Sequence, residues 1–166
     1  MPARCLAVAF LLLLLAAVSP AMASTGFTAT ISSASEVPTN SSTGTGAGTF
    51  VLNDAHTQLT IHITYTGLSA NQIAAHLHDG LPGFNGPIKL TLAGAGTTSA
   101  TWDRVWSSTD ATEPLTSAVV ADLLAGKLYV NIHSTTYTGG ELRGQLVSDA
   151  TPNKASTWGR IKHLYH

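Results

Sequence analysis

The sequence predicts an all-β domain, an antiparallel Greek-key β-sandwich or barrel with one short helical excursion near residues 116–125. Three observations carry that prediction. Leu59, Ile61, Ile63 and Tyr65 alternate with Thr60, His62, Thr64 and Thr66, the period of two of a half-buried antiparallel strand. Similar short runs recur along the chain, separated by Gly, Pro, Asn and Ser clusters that make turns. The period changes in one place. There Leu115, Val119, Val120, Leu123 and Leu124 suit a helix, with Thr116 as its N-cap and Gly126 as its stop.

In chain order, Met1 to Arg4 form a positive n-region, Leu6 to Val18 an apolar run, and Ala21-Met22-Ala23 a small-residue cleavage pattern. Residues 1–23 therefore read as a signal peptide removed after Ala23. The apolar run falls short of the ~20 residues of a spanning helix, and no later segment is apolar enough to cross a bilayer. The expected location is secreted and extracellular, or periplasmic or cell-surface in a bacterial host. Cys5 is the single cysteine of the chain and leaves with the leader, so the domain is expected to stand without a disulfide. Residues 24–148 make up the domain, and residues 149–166 a basic, aromatic tail expected to be flexible, since so short a helix is marginal without packing; the alternative is a surface or membrane-interface helix with Trp158, Ile161 and Tyr165 on one face.

Within the domain, Phe27, Ala29 and Ile31 mark a first strand, Glu36 to Gly48 a loop, and Thr49 to Leu52 a second strand. Asn53-Asp54-Ala55-His56 reads as a hairpin connection into the Leu59–Tyr65 strand. Ile73, Ala75 and Leu77 form the next inward set, with Ala74, His76 and His78 on the opposite face. Ile88, Leu90 and Leu92 follow, then Ala100 to Trp106, the helix, the set Leu128, Val130 and Ile132, and a closing run from Leu142 to Val147.

Charge excludes one class of partner. Between Ser24 and Ser148 the cations are Lys89, Arg104, Lys127 and Arg143, scattered and outnumbered by acids. Nucleic acid calls for a clustered basic face, which is absent from this pattern. The mature chain also has no G-x-S-x-G elbow, phosphate-binding glycine loop or cysteine nucleophile. Asn40-Ser41-Ser42 is a glycosylation sequon, with Asn40 usable only in a eukaryotic host.

The chemistry concentrates in two stretches, Ala75–Leu90 and Tyr129–Gln145. Alternation sends His76 and His78 from the same face of one strand, ~6.6 Å apart along it. It also sends Tyr129, Asn131 and His133 away from the core, and likewise Glu141, Arg143 and Gln145. A lone histidine is more often a solvated side chain than a ligand. The pair at this spacing, with His133 in a matching context, points instead to a metal site for copper or, as the alternative, zinc. Beside it, Arg143 is a candidate anion guide, and Glu141 a candidate for orienting an imidazole or binding the metal. A plain Glu141–Arg143 ion pair is the competing reading. His62 is a candidate further nitrogen donor, while His56, His163 and His166 are expected to be bystanders.

At these residues the chain resembles the chordin-type (CHRD) domain family. The matching stretches are His76, Leu77, His78, Gly80, Gly83, Gly86 and Pro87, then Tyr129, Val130, Asn131, His133, Gly139, Gly140, Glu141, Arg143, Gly144 and Gln145. The resemblance covers about Phe27 to Val147 and implies an extracellular β-domain. More distantly, the chain is similar to copper-zinc superoxide dismutase, which implies His76, His78 and His133 as copper ligands and Arg143 as the anion-guiding arginine. Two departures stand out: Asp79 to Lys89 contains no bridging histidine, and the zinc-site cluster and disulfide of that family are missing. Two functions follow as expectations. One is a copper-binding protein with redox activity towards a small oxygen species; the other is a non-catalytic module for a protein or extracellular-matrix partner. A histidine face that is merely a hydrogen-bonded structural patch is the third.

Overall fold

The computed structural model describes residues 24–149 apart from 93 and 95; the leader and the tail residues Trp158, Ile161, His163, Tyr165 and His166 lie outside the described residues. The chain runs β1 (Thr25–Ser32), a 3-10 turn (Ser33–Ser35), β2 (Thr45–Leu52), β3 (Gln58–Thr66), β4 (Gln72–Asp79), β5 (Ile88–Leu92) and β6 (Ala100–Ser107). Then come α1 (Ser117–Leu124), β7 (Leu128–Ser134), β8 (Leu142–Gln145) and β9 (Val147–Ser148). All strand pairs are antiparallel.

The strands form one nine-stranded sheet in the order β5-β4-β7-β8-β1-β2-β3-β6, with β9 pairing β1. After the β1-β2-β3 meander the chain crosses to the far end of the sheet for β4 and β5, returns for β6, and crosses again through α1 to β7. These are long crossovers of the Greek-key kind. The sheet is strongly curled. Its concave side gathers Phe27, Ile31, Phe50, Ile61, Ile63, Leu77, Leu90, Trp106, Val130 and Ile132 into a single apolar cluster drawn from both ends of the strand order. Burying this apolar surface drives the curl, since a flat sheet leaves one face of each strand wet.

The predicted alternation holds in β1, β3 and β7, where Phe27, Ala29, Ile31, Leu59, Ile61, Ile63, Tyr65, Leu128, Val130 and Ile132 are all buried. The helix also forms as expected. Thr116 caps it by accepting from the Val119 amide, and Gly126 follows its end at φ +71. Gly126 N donates to Leu123 O and Lys127 N to Asp122 O, the paired bonds that close a helix through a left-handed residue.

Three core expectations fail. Ile73 and Ile88 are each 48% exposed, and Leu124 is turned outward as well. The register of β4 against β7 shifts between Gln72 and Ala74, and that of β4 against β5 between Leu77 and His78. Each irregularity inserts a residue and breaks the strict period of two, so Gln72 is buried where alternation assigns Ile73. The Glu36–Gly48 loop is also shorter than expected, because β2 begins at Thr45. Pairing with β1 on one side and β3 on the other orders this Gly-rich segment, which by its own propensity is a poor strand.

Candidate metal centre

β4 lies between β5 and β7, and its alternation buries Ala75 and Leu77 in the core while His76 and His78 project from the convex face. Across the β4–β7 ladder His76 faces Asn131, His78 faces Tyr129, and Ala74 faces His133. His133 therefore sits diagonally from His76 on the same face. Among the described residues, His76, His78 and His133 form a group whose ligating atoms all lie within 4.8 Å of one another. His76 Nδ1 is 3.2 Å from His133 Nε2, and the His76 and His78 rings meet edge-on at 5.4 Å.

Backbone carbonyls set the tautomers of two of these rings. His78 Nδ1 faces Gly86 O at 2.8 Å and His133 Nδ1 faces Thr138 O at 3.0 Å. A carbonyl only accepts, so each Nδ1 carries the hydrogen and each Nε2 presents a lone pair. His78 Nε2 is buried without a hydrogen-bond partner. A bare buried nitrogen costs free energy unless something fills its lone pair, and here the other two imidazoles converge beside it. All three histidines titrate below the ordinary imidazole value, in each case first because burial disfavours the charged form. Proximity adds to this: the charges of His133 and His78 lower His76, and those of His133 and Arg143 lower His78. The rings are held neutral, the state in which imidazole binds metal.

The convex face around the site is not open to solvent. Tyr129, Asn131, Glu141 and Arg143 are buried beneath two loops, Glu36–Ser42 and Asp79–Pro87. Arg143 is 1% exposed. Its NH1 donates to Asn85 Oδ1 at 3.2 Å, and its NH2 to Leu81 O at 3.2 Å and Phe84 O at 2.9 Å. The guanidinium lies over the Tyr129 ring, 3.5 Å from its centroid. The expected anion guide is thus engaged with a loop, and it makes no ion pair with Glu141.

Glu141 Oε1 accepts from Ser42 Oγ at 2.5 Å, Ser69 N at 2.7 Å and Ser69 Oγ at 2.9 Å. Burial pushes its carboxyl up, but the bonds from Ser134, Ser42 and Ser69 outweigh it and hold the group below its ordinary value. Its carboxylate joins loops and lies outside the histidine group. His62 is also elsewhere, on β3, with Nδ1 2.7 Å from Asp103 Oδ1. His56 occupies the β2–β3 turn at φ 56. Asn40 donates through Nδ2 to Glu141 O and Gly140 O and accepts from Ser42 N, so the sequon's amide ties the loop to the domain.

Alternation puts Tyr129 and Asn131 on the outward face without giving either a role beside the histidines, Gly86 reads only as a turn and motif glycine, and Thr138 and Glu36 are not singled out. Tyr129 stacks on His78 with rings 9° apart and 5.0 Å between centroids, and its hydroxyl accepts from Gly86 N at 3.1 Å. Its place opposite His78 follows from the strand pairing, which the sequence does not state. Glu36 is a lone acid in a Ser/Thr-rich loop, and no sequence signal marks it.

Comparison with protein-family models matches residues 27–146 to the CHRD domain. No curated protein and no solved structure matches the chain.

Proposed function

The chain belongs to the CHRD domain family, and on that footing we propose that it is an exported metal-binding protein holding one copper ion, or zinc as the alternative, on His76, His78 and His133. The observation that carries this reading is the convergence of three imidazoles within 4.8 Å, with one bare buried nitrogen among them. A nitrogen-only donor set is borderline in softness, and divalent affinity peaks at copper, so copper ranks ahead of zinc. Three protein donors leave room for water or a small ligand in the metal's remaining positions. Bound copper would supply one-electron chemistry towards a small oxygen species such as superoxide. Burial within the fold holds the imidazoles neutral, and Gly86 O and Thr138 O aim those of His78 and His133. Export rests on the leader pattern of residues 1–23.

Titration of the purified mature protein with Cu(II) and Zn(II), beside the His76→Ala/His78→Ala double variant, tests the site. Sub-micromolar binding of one ion, lost in the variant, is expected; absence of tight binding to wild type overturns the reading. A superoxide-consumption assay on the copper-loaded protein decides between a redox and a holding role. The mass of the secreted product tests cleavage after Ala23.

One observation favours a second reading. Leu81, Phe84 and Ile88 are large apolar side chains exposed on and beside the loop that covers Arg143, with Phe84 at 66%. They suit a non-catalytic module that meets a protein or matrix partner. Pull-down from an extracellular-matrix extract by wild type, lost with Phe84→Ser and indifferent to chelator, would favour that reading over the metal.

A further inference from the structure

We propose that Arg143 is a positioning residue which, by clamping the Asp79–Pro87 loop, fixes His78 in its Nδ1–H tautomer and keeps its Nε2 bare for the site. The guanidinium does not touch the imidazole. It reaches the ring through the loop, whose backbone oxygens it gathers at Leu81 and Phe84 together with the side chain of Asn85. The next residue is Gly86, whose carbonyl takes the His78 Nδ1 hydrogen at 2.8 Å.

The other contacts of this loop leave Gly86 little freedom. Asp79 N donates to Pro87 O and Gly80 N to Lys127 O, closing the loop's base. Gly86 N donates to the Tyr129 hydroxyl. A Cβ at Gly86 would lie 1.6 Å from Asp79 O, so the backbone passes where only glycine fits. Asn85 Nδ2 also donates to Val37 O, which links this loop to the other covering loop. Tyr129 joins the two ends of the device. Its ring carries Arg143 and stacks on His78, which come from the two strands flanking β7.

The geometry calls for arginine in particular. Acceptors at Asn85, Leu81 and Phe84 are met by two nitrogens of one planar fork, which a single ammonium cannot reproduce. Arg143→Lys keeps the charge near His78 and removes the fork. Arg143→Gln removes both. The contrast separates a geometric role from an electrostatic one.

The tautomer is read directly by long-range 1H–15N correlation on metal-free protein with 15N-labelled histidines. Wild type is expected to show His78 with hydrogen on Nδ1. Arg143→Lys and Arg143→Gln are both expected to populate the Nε2–H form and to lose ~10–100-fold in Cu(II) affinity, the usual consequence of losing an outer partner of a ligating histidine. His133, held separately by Thr138 O, serves as the internal control and should keep its tautomer. Tyr129→Phe is the milder variant: it keeps the ring, drops the acceptor of Gly86 N, and should shift His78 in the same direction by less.

His78 unchanged in both arginine variants overturns the proposal, as does full rescue by Arg143→Lys. If the arginine variants unfold, an unchanged His78 in Tyr129→Phe overturns it. The affinity arm rests on the metal reading, but the tautomer arm does not. Wild type with the fixed tautomer and no copper or zinc binding would sink the metal site and leave the clamp standing. Tight copper binding by wild type, with His78 unchanged in the arginine variants, would do the reverse.

Discussion

His76 Nδ1 lies 3.2 Å from His133 Nε2, and the hydrogen between them belongs to His76. His133 has its own hydrogen on Nδ1, facing Thr138 O, so its Nε2 can only accept. Without metal, one N–H···N bond therefore joins two proposed ligands. An ion entering the site has to replace this bond, which requires His76 to move its hydrogen to Nε2 or to turn its ring.

His133→Ala and His76→Ala each remove one of three donors. Each is expected to weaken Cu(II) binding by more than the ~10–100-fold typical of losing an outer-shell partner. Isothermal titration at fixed pH measures this. Both side chains are only part-buried, so thermal melts of the metal-free variants should stay close to wild type.

Glu36 gives stability an acid-side preference. It is 4% exposed, and burial first of all pushes its carboxyl up to about 7 from 4.5, against the lowering effects of the Val37 amide, Arg143 and Asn131. Asn131 Nδ2 donates to Glu36 Oε2 at 3.4 Å, while Glu36 Oε1 and Asn131 Oδ1 are both buried without partners. A hydrogen on Glu36 lets the acid also donate to the amide oxygen. Because the folded pKa is raised, the folded state holds more protons than the unfolded state between pH 4.5 and about 7. The stabilisation is full below pH 4.5 and is lost as pH rises through about 7, on the order of 3 kcal/mol across the whole titration. The three histidines act in the opposite sense, since their lowered values withdraw stability as pH falls below 6.5. Glu36→Gln mimics the protonated acid. Urea melts of this variant from pH 5 to 8 should lack the alkaline loss seen in wild type, on the order of 2–3 kcal/mol over that range.

Glu141→Ala should leave metal binding intact and destabilise the fold by roughly 3 kcal/mol, because Ser42 and Ser69 lose a buried charged acceptor. The sign of its pH dependence is the reverse of that for Glu36. Its folded pKa is depressed, so its contribution is present above the unfolded value of 4.5 and fades as pH falls through the folded value. Chemical denaturation at pH 7 and a parallel copper titration check both halves. A large loss of copper affinity in a folded Glu141→Ala protein would return the residue to the ligand set.

His62→Ala should change neither property by much. The His62–Asp103 contact is exposed and on β3 and β6, where such a surface pair contributes ~0–1 kcal/mol. Copper stoichiometry and melting temperature matching wild type would confirm that this histidine stands apart from the site.

The sequence by itself determined sidedness. Successive residues of a strand point to opposite faces, so the opposition of Leu77 to His76 and His78, and of Ile132 to His133, was readable from spacing alone. The cap and stop of α1 were readable for the same local reason, since Thr116 and Gly126 act within one turn of the helix. Tertiary structure decided what lies over the outward face. The partners of Arg143 stand 58 to 62 residues earlier in the chain, and those of Glu141 reach back 99. Such contacts depend on loops folding across the sheet, which no local period encodes. The same holds for the irregularities that turned Ile73 and Ile88 outward, because a register shift is a property of two paired strands. The histidines were legible because the pleat places them; the carbonyls of Gly86 and Thr138 that aim them come from turns packed against the sheet, and only the assembled fold brings those within hydrogen-bond reach.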